Sequence, residues 1–331
     1  MRFPVRLTVD TAISAAKAKR RGDTHAPMVL MLEPTLACNL ACIGCGKILE
    51  YEDNRTELTV DQCLDAARES GAPVVSICGG EPLIYHGIDA VVDGLIEMGK
   101  HIILCTNAIR LESFAKRRTP HHQLSFAVHL DGMEETHDHI VARPGVFEIA
   151  VRAIAAAKAE GHRVTTNTTI YRETDVDEIR EMLELVTSLG VDGVLLSPAF
   201  GYEAIDKSVV MTRDEIIAKF RAIQSFDSRY PVLTSPIYRE FLRGERTLTC
   251  HAWGTVTRNP YGWKGPCYLI TDQIHESCHD LLTSTNFDDY GPGRDPRCEH
   301  CMMHSSFEPA AADAAAASIR DLFRTLRWTV T

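Results

Sequence analysis

The sequence has no long hydrophobic run. No stretch of its 331 residues reaches the roughly 18 consecutive apolar residues that a transmembrane helix needs. The opening residues MRFPVRLTVD also lack the apolar segment that follows the positive charges of a secretory signal. We therefore expect a cytoplasmic protein, whose contact with a membrane, if any, is peripheral.

An excess of positive charge is missing too. The formal net charge of -10 argues against sequence-independent binding to nucleic acid, which needs a basic face to displace counterions. One local exception is the segment TAISAAKAKRRGD, a predicted short helix with Lys17, Lys19, Arg20 and Arg21 near its end. Two interpretations stay open. It is a surface helix whose basic end complements the helix dipole, or it rests on an anionic membrane.

Cysteine, by contrast, is abundant, with eleven in the chain. In a reduced cytoplasm such residues are metal ligands or catalytic thiols more often than disulfides. Cys38, Cys42 and Cys45 form a C-x3-C-x2-C motif, with no fourth Cys or His nearby to complete a tetrahedral zinc site. Three thiolates on a cubane iron–sulfur cluster would leave one iron open to a ligand. The alternatives are three unrelated buried cysteines and a zinc-stabilised binding module without catalysis.

The order of predicted elements indicates an α/β fold. Short β-branched runs alternate with amphipathic segments, which is typical of βα units around a parallel sheet that curls into a partial barrel. We predict three parts of the chain: an N-terminal basic helix (1–26), a barrel core (27–200) and a C-terminal extension (201–331), which we interpret as a Cys-rich, loop-rich cap. The six predicted strands cover residues 28–34, 73–78, 101–106, 123–130, 162–170 and 192–198.

A second motif follows the second predicted strand. In Gly79-Gly80-Glu81-Pro82, two glycines let the backbone approach a ligand closely, and Glu81 supplies an anion for an ammonium group. The motif alone is a weak turn signal. Combined with the cysteine triplet at the preceding strand end, it is a strong indication of a site on the barrel rim.

Together these motifs resemble the radical S-adenosylmethionine (SAM) superfamily, whose fold is a partial (β/α)6 barrel. The resemblance implies that Cys38, Cys42 and Cys45 hold a [4Fe-4S] cluster whose open iron binds SAM. One electron, from a donor such as flavodoxin or ferredoxin, would cleave SAM to methionine and a 5′-deoxyadenosyl radical. The residue before the third cysteine is often aromatic in the superfamily, whereas here it is Gly44.

Longer stretches, including SGAPVVSICGGEPL, VHLDGMEETHD and YGPGRDPRCEHCMMH, resemble the hopanoid-biosynthesis family of adenosylhopane synthases over residues 30–309. That resemblance implies addition of the radical to the terminal alkene of a hopene, diploptene, an apolar isoprenoid. Cys105 matches the thiol proposed to reduce the product radical; the alternative is a small buried cysteine. An enzyme of the same architecture that acts on another alkene or small molecule, by addition or hydrogen abstraction, is the alternative function.

Two further groups of residues are candidates. The first is expected to contact cofactor or substrate at the rim, with local turn formation as the alternative: Thr106, Asn107, His129, Asp131, Asn167 and Ser197. The second is a candidate site for another iron–sulfur cluster or for zinc, with buried packing thiols as the alternative: Cys250, Cys267, Cys298 and Cys301.

Overall fold

One continuous sheet organises the chain. The structure, a computed structural model, describes residues 5–46, 50–51, 55–203 and 205–330. Its nine strands lie in the order β6-β5-β4-β3-β2-β1-β7-β8-β9. The predicted mixed α/β fold with a parallel sheet is confirmed.

The six predicted parallel strands are all present, close to their expected bounds. Each strand pairs in parallel with the next along the chain, and helices separate them. The strands are β1 Val29–Leu32, β2 Val74–Ile77, β3 His101–Thr106, β4 Leu124–His129, β5 Arg163–Ile170 and β6 Gly193–Pro198. The helices of this part are α1 Val5–Arg21, α2 Val60–Ser70, α3 Ile88–Glu97, α4 Leu111–Arg117, α5 Glu134–Ile140, α6 Val146–Ala159 and α7 Val176–Ser188.

Local sequence signals explain where these elements begin and end. Helix α2 begins at a capping box, in which Thr59 and Gln62 satisfy each other's backbone N–H groups, and it ends at Gly71 in the left-handed conformation. Strand β2, of sequence VVSI, is buried along its whole length, as expected for a parallel strand covered on both faces. These signals fix the loops at the strand ends, where the site lies.

The C-terminal part contains more regular structure than the expected loops. Strand β7 (Thr255–Asn259) pairs in parallel with β1, and β8 (Gly262–Pro266) and β9 (Thr271–His275) continue the sheet in antiparallel fashion. The helices are α8 Arg213–Ala222, α9 Pro236–Leu242, α10 Cys278–Ser284, α11 His304–Ala316 and α12 Ile319–Val330. The chain ends in two helices, α11 and α12, because the Ser318 side chain accepts the Asp321 N–H and begins a new helix.

Helix α1 lies at the end of the barrel opposite the cysteine loop. Its Asp10 contacts His101, the first residue of β3, at 2.8 Å, and its Arg6 contacts His122, just before β4, at 2.9 Å. The N-terminal ends of parallel strands thus carry α1. Among the described helices, none combines the length and the apolar character needed to cross a membrane.

Candidate active site

The cysteine triplet lies on the loop that follows β1. Cys38, Cys42 and Cys45 are each partly exposed. The loop is held by a bond from the Cys45 N–H to the Cys42 carbonyl (3.1 Å) and by another from the Ile43 N–H to the Ile140 carbonyl (2.9 Å). Burial, together with the nearby Cys45 thiol, raises the pKa of Cys38 to about 11 and that of Cys42 to about 12. The thiols are therefore close enough to influence one another.

The Gly79–Pro82 turn packs directly on this loop. The Gly80 N–H donates to the Thr35 carbonyl (3.0 Å) and the Glu81 N–H donates to the Ala37 carbonyl (2.8 Å). A methyl group on Gly80 would overlap the Ala37 carbonyl, and Gly79 has a φ of +102°. In the structure the two glycines therefore allow the loops of β1 and β2 to meet, rather than only the approach of a ligand.

The buried side chain of Glu81 joins the loops that follow β2 and β3. Its side chain, only 2% exposed, accepts hydrogen bonds from the Leu83 N–H (3.0 Å), the Thr106 hydroxyl (2.7 Å) and the Asn107 N–H (2.8 Å). Burial raises the pKa of this carboxyl, and the three bonds oppose that rise. Glu81 was expected to meet an ammonium group; in the structure both of its oxygens bond within the protein.

Asn107 joins β3 to the cysteine loop. Its side-chain amide donates to the Asn39 side chain, next to Cys38, at 2.7 Å, and its oxygen accepts the Ile109 N–H at 3.1 Å. The second bond is the local turn that the sequence left as an alternative. Thr106 and Asn107 thus hold the loops after β1, β2 and β3 together.

A buried carboxylate lies at the end of β4. Asp131, fully buried, accepts the Thr169 N–H at 2.7 Å and lies 2.6 Å from the His129 ring, while its own N–H donates to His137 (3.2 Å). Burial alone would lower the pKa of His129, but the Asp131 carboxylate outweighs it and the pKa is raised. Burial lowers the pKa of His137 to about 4, so that ring is neutral.

The two remaining rim candidates differ in their surroundings. Asn167 on β5 lies opposite His129 on β4, and its side-chain oxygen is buried without a hydrogen-bond partner among the described residues. Ser197 at the end of β6 is 3.0 Å from Nδ1 of His304. The Asn167 oxygen thus has no protein donor among the described residues, whereas Ser197 links the barrel to the C-terminal part.

Cys105 lies on the inner face of β3. Its sulfur is 3.4 Å from the Ser76 hydroxyl on β2, and burial raises the pKa of the thiol. At neutral pH the sulfur therefore keeps its hydrogen. Burial raises the pKa of Tyr268, and the charges of Cys78 and Cys105 add to that rise. The Tyr268 hydroxyl therefore lies near both sulfurs.

Tyr171, which follows β5, is a site residue that sequence reasoning missed. A side chain on Gly44 would overlap the Tyr171 hydroxyl, and Tyr171 is 9% exposed. An aromatic ring from another loop thus fills the space beside Gly44, the position at which an aromatic residue is common in the superfamily that the motifs resemble. The missing aromatic residue in the cysteine motif was the available signal for such a partner.

The four C-terminal cysteines come together. Cys250, Cys267, Cys298 and Cys301 line one cavity with Phe200 and Tyr290. Burial raises the pKa of Cys250 to about 12 and that of Cys298 to about 11, and it raises that of Cys301 well above its ordinary value. In each case the neighbouring cysteines add to the rise. Neither here nor at the N-terminal triplet do three side chains of the described residues lie at the spacing of a single metal ion.

Two family models match successive segments that together cover most of the chain. Residues 32–186 match the radical SAM superfamily, and residues 194–325 match a domain of unknown function, DUF3463. The superfamily uses a [4Fe-4S] cluster, SAM, a substrate and a reductant that donates electrons.

Individual proteins agree with this assignment. The AdoMet-dependent heme synthase of Methanosarcina barkeri is 26% identical over 263 residues, which cover 74% of this chain and 75% of the relative. SuiB of Streptococcus suis, solved with its precursor peptide SuiA, has a TM-score of 0.66 at 16% identity, over 88% of this chain and 73% of SuiB. The structure of anSMEcpe with AdoMet and the Cp18Cys peptide has a TM-score of 0.58 at 14% identity, over 78% and 81%. These structural similarities show a shared fold.

Proposed function

We propose, from the match of residues 32–186 to the radical SAM superfamily, that this enzyme adds a 5′-deoxyadenosyl radical to the terminal alkene of a hopene. The product would be adenosylhopane. The observation that carries the proposal is the thiol of Cys105, which lies on the inner face of β3, 3.4 Å from the Ser76 hydroxyl, and whose pKa is raised by burial. The half-buried apolar side chains of Met31, Ile103 and Leu195 alternate along their strands with fully buried neighbours and share this face with polar ones such as Ser125.

The residues of the rim fit the cofactors of the superfamily. Cys38, Cys42 and Cys45 offer three thiols on one partly exposed loop, which is the donor set for a cluster with one open iron. When bound, the cluster and SAM supply the 5′-deoxyadenosyl radical. Gly79 and Gly80 would hold the backbone of the turn against the cysteine loop, with Glu81 and Pro82 continuing the turn, and the unpaired Asn167 oxygen would accept a hydrogen bond from SAM. Thr106, Asn107, His129, Asp131 and Ser197 would fix the surrounding loops.

Cys105 would complete the reaction. Radical addition to the terminal carbon of the alkene leaves an unpaired electron on the neighbouring carbon. The thiol gives its hydrogen atom to that carbon, which forms a C–H bond and leaves a thiyl radical. One electron from a donor such as flavodoxin or ferredoxin, together with one proton, restores the thiol. Because the pKa of Cys105 is raised by burial, the hydrogen is present at neutral pH.

We also propose a second metal site at Cys250, Cys267, Cys298 and Cys301. The four thiols come from distant segments and line one cavity, and four thiolates suit either an iron–sulfur cluster or zinc. Among the described residues they do not lie at the spacing of a single metal ion, which favours the cluster. Comparing wild type with a Cys298→Ser/Cys301→Ser variant separates these. Loss of iron and sulfide in the variant indicates a cluster, loss of zinc indicates zinc, and unchanged metal content contradicts the proposal.

Product analysis of the reconstituted enzyme tests the reaction. With SAM, a strong reductant and detergent-dispersed diploptene, we expect an adenosylhopane adduct in the mass spectrum. Cys105→Ala should still consume SAM but lose the saturated adduct. Cys63→Ala is the matched control, because Cys63 is buried in the core on α2, outside the barrel interior. Equal adduct from Cys105→Ala would contradict the role of the thiol.

The alternative function predicts a different product. Free 5′-deoxyadenosine without an adduct would indicate hydrogen abstraction or a different alkene or small-molecule substrate. The similarity to AdoMet-dependent heme synthase, an enzyme named for another product, makes this the second candidate. It would keep the radical chemistry and the roles of the rim residues.

A further inference from the structure

Cys78, the residue before the Gly79–Pro82 turn, is a buried thiol that the proposed function does not use. It is 7% exposed and directly follows β2, and its N–H still bonds to a carbonyl of β1 at 2.8 Å. The register of β2 and β3 ends with Ile77 beside Leu104. The next residues in this register, Cys78 and Cys105, are therefore neighbours on adjacent strands.

Both cysteines lie on the inner face of the sheet. Side chains alternate along a strand, so Cys78 shares its face with Ser76, whose hydroxyl is 3.4 Å from the Cys105 sulfur. Neighbouring strands lie about 4.8 Å apart, which is within the roughly 4.4–6.8 Å that separates the Cα atoms of disulfide-bonded cysteines. The backbone positions of Cys78 and Cys105 are thus compatible with a bond between their sulfurs.

A carboxylate continues the row on the other side of Cys78. The register of β1 and β2 places Glu33, which is fully buried, beside Cys78, and a methyl group on Gly79 would lie 3.0 Å from the Glu33 Cβ. Burial raises the pKa of Tyr268, and the charges of Cys78, Glu33 and Cys105 add to that rise. The Tyr268 hydroxyl therefore lies near a single row of Glu33, Cys78 and Cys105 across β1, β2 and β3.

We propose that Cys78 is a second catalytic thiol, which captures the Cys105 thiyl radical as a Cys78–Cys105 disulfide. The inference deepens the proposed function, on which it rests for the source of the radical. After Cys105 has given its hydrogen atom to the substrate carbon, Cys78 gives its proton to the Glu33 carboxylate. The two sulfurs then form a bond that carries one excess electron. This electron passes to an oxidised carrier of the flavodoxin or ferredoxin type, and a neutral disulfide remains.

A dithiol reductant restores both thiols by thiol–disulfide exchange, in which it supplies two electrons and two protons. Because one electron and one proton have already been released, the net requirement is one electron and one proton, the same as for direct reduction of Cys105. Cys78 therefore adds no net reductant to the reaction, and it confines the sulfur radical to two adjacent residues. The alternative, a small cysteine that only fills space before the turn, predicts no disulfide.

Disulfide mapping of the full-length reconstituted enzyme tests the pairing without substrate. Trypsin places the two thiols in peptides 69–100 and 101–110, each of which has a single cysteine. After anaerobic oxidation with diamide and trapping of free thiols with N-ethylmaleimide, we expect these peptides to be linked through Cys78 and Cys105. Cys78→Ser should lose the link, whereas Cys63→Ala, in the core on α2, should retain it. Separate alkylation of both thiols in the wild type would overturn the proposal.

A single turnover tests the role of Cys78 in the reaction. With SAM, detergent-dispersed diploptene and a mixture of reduced and oxidised flavodoxin, but no dithiol, we expect one linked peptide pair for each adduct. Further turnover should require dithiothreitol in the wild type, and Cys78→Ser should not respond to it. Adduct formation that leaves both thiols free in the wild type would overturn the proposal. No adduct, with the linked pair present after diamide, would instead refute the proposed substrate while the pairing of the two thiols stands.

Discussion

Replacing Gly79 by alanine should weaken the junction between the two rim loops more than an ordinary glycine substitution would. Gly79 has a φ of +102°, and an added methyl group would lie 2.5 Å from the Thr35 carbonyl oxygen, the acceptor of the Gly80 N–H. The backbone conformation costs an alanine about 1–2 kcal/mol. Ordinary contact begins at 3.4 Å, so the carbonyl must move by about 0.9 Å, which breaks its hydrogen bond at a further cost of about 1–2 kcal/mol.

Two control glycines separate these contributions. Gly99 has a φ of +74° with no atom within 4 Å of an added methyl group, so Gly99→Ala should cost only about 1 kcal/mol. Gly201 has neither problem, since its nearest atom would be 3.6 Å away, and Gly201→Ala should fall within about 0.5 kcal/mol of wild type.

Urea unfolding followed by circular dichroism measures the three free energies, and iron content after anaerobic reconstitution measures the site. We expect Gly79→Ala to lose about 2–4 kcal/mol in total and to incorporate less iron. Gly99→Ala should retain its iron, because Gly99 precedes β3 at the end of the barrel opposite the cysteine loop. Gly201→Ala serves as a control for stability alone, because the adjacent Tyr202 packs against Gly46. If Gly79→Ala is no less stable than Gly99→Ala and loads iron normally, the claim that this glycine joins the two loops is wrong.

Two other predictions concern single side chains. Burial raises the pKa of Glu308 from 4.5 to about 7, so the folded state binds its proton more tightly and stability should fall as pH rises between these values, by up to about 3 kcal/mol. Glu308→Gln keeps an acceptor for the Ser235 N–H and should flatten the dependence of the melting temperature on pH across this range; an unchanged slope would exclude Glu308 as its source. Gly44→Ala should reduce iron loading because its methyl group overlaps the hydroxyl and two ring carbons of Tyr171, and adding Tyr171→Ala, which removes all three atoms, should restore part of it; no rescue would mean that Tyr171 is not the obstacle.

The parallel strands could be predicted because each has a local signature. The β-branched and apolar runs of β1 to β6 are separated by amphipathic helices, and Gly71 ends α2 as the sequence suggests. Strands β7 to β9 could not be recognised in this way. Strand β8 contains two glycines and a proline, and the partner of β7 is β1, more than 200 residues earlier in the chain.

The same distinction applies to the site. The cysteine triplet and the Gly79–Pro82 turn are contiguous motifs, so their residues were found. Tyr171, Tyr268 and His304 were missed because their roles depend on contacts between distant segments: with Gly44, with Cys105 and with Ser197. Glu81 was found, but its hydrogen bonds were not foreseen, since a motif shows which residue is present and not whether its oxygens are already occupied.

The pairing of β1 with β7 has a consequence for any attempt to divide the protein. Strand β1, which leads into the cysteine loop, has β2 on one side and β7 on the other. A fragment ending near residue 200 would contain both sequence motifs but would leave one side of β1 without a partner. Its unpaired N–H and carbonyl groups would form an exposed strand edge, open to pairing with other chains, next to the cysteine loop. We therefore expect the isolated barrel segment to aggregate, and the C-terminal half to be needed for the N-terminal half to fold.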